Sequence, residues 1–127
     1  MVDTSAIVAT LNRADRNHSE AVRLLDRARR GKAALVITNF IVGETYATLL
    51  SRVGSHAARR WLAENDIPVL RVTLGDERRA REILLSYIDK DFSYVDATTF
   101  ALMERLNIQV CFAFDVHFEQ FGFRRWA

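Results

Sequence analysis

Between Asn107 and Val116 the chain reads IQVCFAFD, an apolar run interrupted only by Gln109 and stopped by Asp115. Seven residues is the length of a strand rather than a helix. The lack of alternation marks a strand covered on both faces, which is the habit of parallel sheets with helices packed above and below. The rest of the chain must then supply parallel partners and covering helices. Ser93 and Asp96 have the spacing of a capping box, and Ala97, Phe100, Ala101, Met103 and Leu106 follow at helical period up to Asn107, which ends the helix.

The remainder has the same alternating character. Met1 and Val2 form a very short apolar lead into Asp3, Thr4 and Ser5, three residues that favour helix N-caps, and residues 6–11 continue as a helical or irregular segment. Residues 18–30 predict an amphipathic helix stopped by Gly31, and AALVIT at 33–38 predicts a buried strand. Asn39 is placed to cap a helix that runs to Gly54, and Ser55 or His56 opens another through Trp61 and Leu62. Residues 67–72 predict a strand entered through Pro68, 76–87 a helix, and 121–126 a last short strand. This alternation argues for an α/β domain with a mainly parallel sheet, whose ligand site lies outside the carboxyl ends of the strands.

Composition narrows the class. At 127 residues the chain is long enough for one ordinary domain with a real core, and with half its residues hydrophobic it is not disordered. Eighteen Lys and Arg against sixteen Asp and Glu give a net charge of +2, so any contact with nucleic acid is local rather than that of a polycation. The single cysteine, Cys111, lies in the apolar strand; an intrachain disulfide is excluded and a cytoplasmic location expected. No apolar run approaches the roughly 18 residues of a membrane span, and the N-terminus lacks the layout of a signal peptide.

Four acids fall at one sheet edge in this scheme. Asp3 follows the first strand, Asp115 ends the strand from Ile108, Asp96 begins the helix before it, and Glu44 lies two turns into the helix after AALVIT. Each has an ordinary structural alternative, as a helix cap, a capping-box member or a solvated helix residue. Together they favour a metal site. Two carboxylates about 4 Å apart repel by about 4 kcal/mol at an effective dielectric near 20, and a divalent cation removes that cost. All-oxygen donors suit Mg²⁺, with Mn²⁺ as substitute, and the matching chemistry is phosphodiester hydrolysis by an activated water.

VDTSAIVA at 2–9, TNFIVGE at 38–44, SYVDATTFALMERL at 93–106 and FDVHFEQFGF at 114–123 resemble the PIN-domain nucleases, and among them the VapC-type toxins of toxin–antitoxin pairs. The resemblance covers nearly the whole chain in the right order. It implies a three-layer α/β/α fold with a five-stranded parallel sheet, a Mg²⁺-dependent endoribonuclease, and a cognate VapB-type antitoxin. It maps the acidic quartet of the family, as catalytic and metal-binding residues, onto Asp3, Glu44, Asp96 and Asp115, with Thr4 or Ser5 supporting the first. Two departures stand out: only Met1 and Val2 precede the first aspartate, and Ala113 occupies a place where the family often has Thr or Ser.

Other features have two readings each. Asp89 and Asp91 are loop acids beside Lys90 or reach the site, His117 is structural or touches a scissile phosphate, and His18 and His56 are surface residues. Arginines 23, 27, 29 and 30 with Lys32, and arginines 78, 79 and 81, are solvated faces or line an RNA path. Tyr46 and Trp61 belong to the core or to a homodimer face. Asp3-Thr4-Ser5 would suit an aspartyl nucleophile only with a second acid two residues on, where Ser5 stands. Beside the RNA-cleaving toxin, a catalytically inactive interaction module and a structure-specific DNA nuclease remain open.

Overall fold

The structure, a computed structural model, describes residues 1–127. Seven helices alternate with four short strands: α1 Thr4–Leu11, α2 His18–Arg30, β1 Ile37–Thr38, α3 Asn39–Arg52, α4 Ser55–Glu64, β2 Val69–Leu70, α5 Leu74–Ser86, α6 Tyr94–Leu106, β3 Val110–Cys111, α7 His117–Phe121 and β4 Arg124–Arg125. β1 pairs parallel with β2, and β3 pairs parallel with β4. The N-terminal segment joins the two pairs. Val2 N–H donates to the Val36 carbonyl at 2.8 Å, Asp3 N–H donates to the Phe112 carbonyl at 2.9 Å, and Val2 bridges Phe112 in parallel. Met1 to Asp3 thus runs between the two strand pairs, giving the spatial order β2, β1, N-terminal segment, β3, β4, though it is joined to them by one bridge and single backbone hydrogen bonds rather than a regular ladder.

The strands are shorter than the sequence predicts. Of residues 33–38 only Ile37 and Thr38 pair regularly, while Ala33 and Ala34 are exposed. Pro68 contributes only its carbonyl, to the Ile37 N–H, so pairing of 67–72 contracts to Val69 and Leu70 on the edge. The run from Ile108 is buried at Cys111, Phe112 and Ala113 but open at Gln109, so it is covered on both faces only near its end. Phe121 closes α7 instead of opening a strand, because Gly122 at φ 113° turns the chain before β4.

Helix boundaries follow local capping. Asp3 caps α1, Thr38 caps α3 through Ile41 N–H, and Thr73–Asp76 and Ser93–Asp96 form full capping boxes on α5 and α6. The cap of α3 is Thr38 rather than Asn39, whose side-chain oxygen instead accepts from Val72 N–H at 2.8 Å and ties β2 to α3. Trp61 is part of the core, and Tyr46 packs against that core while remaining partly exposed. His18 is no free surface residue: its Nδ1 lies 2.8 Å from the Ala9 carbonyl and holds α2 to α1.

On the other side, Phe100 of α6 is the hub of an aromatic cluster with Phe92, Phe118 and Phe121 at ring distances of 5.1, 5.0 and 4.7 Å. Each such pair contributes about 0.5–1.5 kcal/mol beyond its buried area. The cluster fixes α6 against α7, and with them the two ends that carry Asp96 and His117.

α5 is clamped to α6 by Arg105, which donates to both oxygens of the buried Asp76 at 2.8 and 2.9 Å. That guanidinium holds the Asp76 carboxyl below its ordinary range. Replacing Arg105 with methionine leaves a buried carboxylate whose remaining partners are those of the capping box. Because the Arg105 side chain is itself 42% exposed, water softens the loss, and thermal melts at neutral pH are expected to show destabilisation of about 1–2 kcal/mol.

Candidate active site

Helices α1, α3 and α6 all begin at the carboxyl edge of the sheet, because each runs antiparallel to the strand it follows or precedes. Their N-termini carry partial positive charge to that edge. Asp3 enters as the cap of α1, Asp96 as the third residue of the α6 capping box, Glu44 from the second turn of α3, and Asp115 from the turn after β3.

The tightest grouping is Asp96, Asp115 and His117, whose donor atoms all lie within 4.8 Å of one another. Asp96 Oδ2 accepts from Ser93 N–H at 3.0 Å and lies 2.8 Å from His117 Nδ1. Asp115 Oδ1 accepts from His117 N–H at 2.9 Å, an Asx turn that swings the imidazole toward Asp96. Phe92 backs the imidazole edge-to-face at 5.6 Å.

Asp3 and Glu44 stand outside that group but within its field. Asp3 is 3% exposed, and its Oδ2 accepts from Ser5 N–H at 3.1 Å and Ser5 Oγ at 2.7 Å. Burial, partly offset by Ser5 and reinforced by the Asp115 and Asp96 charges, pushes its carboxyl up to about 7. Burial also pushes up the Glu44 carboxyl, against the Thr4 hydroxyl and with the charges of Asp96 and Asp115. Asp115 is raised by burial and Asp96, and held back by His117. Ser5 is the hydroxyl that supports Asp3, and its Oγ also accepts from Phe114 N–H at 3.0 Å; Thr4 serves Glu44 and Thr45.

Burial is the main cause of all three raised carboxyls, and the like charges gathered at the same edge add to it. The two capping boxes show the contrast. Asp76, the same motif one helix earlier, is neutralised by Arg105, whereas no arginine or lysine pairs with Asp96. Oxygen donors with one imidazole among them fit a divalent cation. Asp89 pairs with Lys90 at 3.2 Å and neither it nor Asp91 joins the group, while His56 is exposed on α4. His117, open between a structural and a phosphate-contacting reading, lies within 4.8 Å of Asp96 and Asp115, and the local signal of that placement is the Asp115-x-His117 turn.

A parallel α/β sheet that gathers its acids at the carboxyl edge, beside three helix N-termini, defines the class as an acidic-site α/β domain. The chain belongs to the PIN-domain family, whose model it matches over residues 1–124. It is 38% identical over 126 residues to the 23S rRNA-specific endonuclease VapC20 of two Mycobacterium tuberculosis strains, covering 96% of this chain and 93% of theirs. The crystal structure of M. tuberculosis VapC20, described as a sarcin–ricin-loop-cleaving toxin, superposes with a TM-score of 0.83 at 34% identity, over 96% of this chain and 94% of that one. The expectation of a PIN fold and of a VapC-type, RNA-cleaving toxin is borne out. No helix is long and apolar enough to cross a membrane.

Proposed function

We propose that this chain cleaves ribosomal RNA at a single-stranded loop of the sarcin–ricin kind, with Mg²⁺ held by Asp96, Asp115 and Asp3. The observation that carries the site is the convergence of Asp96, Asp115 and His117 within 4.8 Å at an edge where the Asp3 and Glu44 carboxyls are also raised. The substrate class rests on the likeness to VapC20 over nearly the whole chain.

Bound there, the cation supplies Lewis-acid charge and an activated water. The chain does the rest. His117 Nδ1 and Ser93 N–H fix the orientation of Asp96, and Ser5 fixes that of Asp3. A hard cation favours oxygen, so His117 is read as a positioning residue for Asp96. Glu44, whose raised carboxyl brings its proton affinity nearer neutral pH, orients the attacking water and accepts its proton at a carboxylate oxygen. A VapB-type antitoxin is the inhibitory partner, and the exposed Leu50, Val53 and Leu62 along α3 and α4 support a homodimer.

The test offers purified chain an RNA hairpin of the sarcin–ricin loop, a scrambled hairpin and a flap DNA, each with Mg²⁺, with Mn²⁺ and with EDTA. Metal-dependent cutting of the first substrate is expected. Cutting of flap DNA with RNA spared makes the chain a DNA nuclease, and silence on all three with no metal binding by calorimetry makes it an interaction module; either result ends this reading.

A further inference from the structure

Two aromatic residues lie in the first turns of the helices that carry Glu44 and Asp96. Phe40 lies in the first turn of α3, four residues before Glu44 and on the same helix face, and Tyr94 opens α6 two residues before Asp96. The rings stack on each other with centroids 6.1 Å apart and planes 26° apart. Tyr94 is 47% exposed, so much of its ring remains open to solvent after packing on Phe40. Its hydroxyl donates to Glu77 Oε1 at 3.1 Å, which holds the ring from α5.

Next to Tyr94 is a surface hollow of about 430 Å³, lined on α5 by one acid, Glu77, and by Arg78, Arg81, Leu84 and Leu85, so that two cations there outnumber the single carboxylate. The arginines of this region divide into two kinds. Arg79 is paired with Glu104 and Glu82, and Arg105 with Asp76, but Arg78 and Arg81 have no acidic partner within 4.0 Å. An open aromatic face flanked by unpaired cations is the combination that holds a single-stranded nucleotide, base on ring and phosphate on guanidinium. It also answers the electrostatic problem of the site, since acids alone repel the backbone they must cut.

We propose that Tyr94, braced by Phe40, is a base-stacking platform for one unpaired nucleotide of the RNA, whose phosphate is taken by Arg78 and Arg81. This rests on the RNA-cleaving reading above. It makes Tyr94 a specificity residue, because only a base splayed out of a helix reaches its face.

The experiment measures KM and kcat on the sarcin–ricin-loop hairpin, and the fluorescence of the same hairpin carrying 2-aminopurine at successive loop positions. Tyr94→Leu is expected to raise KM about tenfold or more and to change kcat far less, whereas Tyr94→Phe, which keeps the ring, stays within about twofold of wild type. At one loop position, 2-aminopurine is quenched on wild type and on Tyr94→Phe but not on Tyr94→Leu. Arg78→Gln and Arg81→Gln are each expected to lower the salt slope of RNA binding by about one. Unchanged KM and quenching in Tyr94→Leu overturn the platform while leaving the nuclease intact. A Tyr94→Leu defect that appears in sedimentation, with KM unmoved, assigns the ring to a contact between copies and also overturns it. Wild-type protein that cuts no RNA removes the parent reading, and the platform with it.

Discussion

Asp96→Asn is expected to lower RNA cleavage by about 10³-fold while the protein stays folded. One side chain does three things: its Oδ2 closes the capping box with Ser93 N–H, faces His117 Nδ1, and belongs to the tightest donor group. Asparagine keeps one carbonyl oxygen, so the cap survives; even complete loss of a cap costs only about 0.5–2 kcal/mol. What asparagine removes is the charge. Charge stabilisation by a bound cation is worth several kcal/mol, and about 4 kcal/mol corresponds to a factor near 10³. Cleavage by gel assay and folding by circular dichroism separate the two effects. Asp115→Asn, which leaves the capping box untouched, is expected to act in the same direction. Cleavage within tenfold of wild type in both variants would sink the metal-ligand assignment.

How much of this was legible depends on how local each determinant is. The Ser93-x-x-Asp96 box, the His18–Arg30 helix and the stop at Gly31 were readable because a cap is satisfied within four residues of chain. The α5 box, Thr73-x-x-Asp76, has the same form but places the helix start before Asp76, and its partner Arg105 lies 29 residues away, where no periodicity points to it. Strand lengths were overestimated for a related reason: an apolar run shows that a segment is buried, not that a neighbour pairs with it. The N-terminal segment illustrates this: Met1 and Val2 are buried, but the place of the segment between the strand pairs is set by backbone hydrogen bonds to Val36 and Phe112 that no local pattern announces. The acids were visible as a set only through the order of strands and helices and the family resemblance. Their coupling to His117 needed the fold, because the aromatic cluster on Phe100 is what brings α7 back to the start of α6.

The metal-free protein is expected to lose stability as pH rises from about 4 to about 7, and divalent metal to restore it. Asp3 carries the sign. Its carboxyl is raised from an ordinary value of 3.8 to about 7 by burial, partly offset by Ser5 and reinforced by Asp115 and Asp96. Between those values the folded state holds a proton that the unfolded chain has released. Stability then falls by about 1.4 kcal/mol per pH unit, to a total of about 4 kcal/mol, and is level above pH 7. The raised Glu44 and Asp115 add to the fall, whereas the lowered Asp76 works oppositely, with stability present above its unfolded range and lost on further acidification. The stability maximum of the metal-free protein therefore sits in weak acid. A divalent cation flattens this slope, because it binds the ionised carboxylates and displaces their protons, so that folded and unfolded chains hold the same number. At a concentration about 1,000 times its dissociation constant it returns about 4 kcal/mol, enough to cancel the loss at neutral pH. Urea unfolding in EDTA across this range, repeated with Mg²⁺ and with Mn²⁺, tests both halves. A metal-free stability that rises from pH 5 to pH 7 contradicts the charge-crowded edge. Metal that leaves the unfolding midpoint at pH 8 unmoved contradicts the proposal that Asp3, Asp96 and Asp115 bind it.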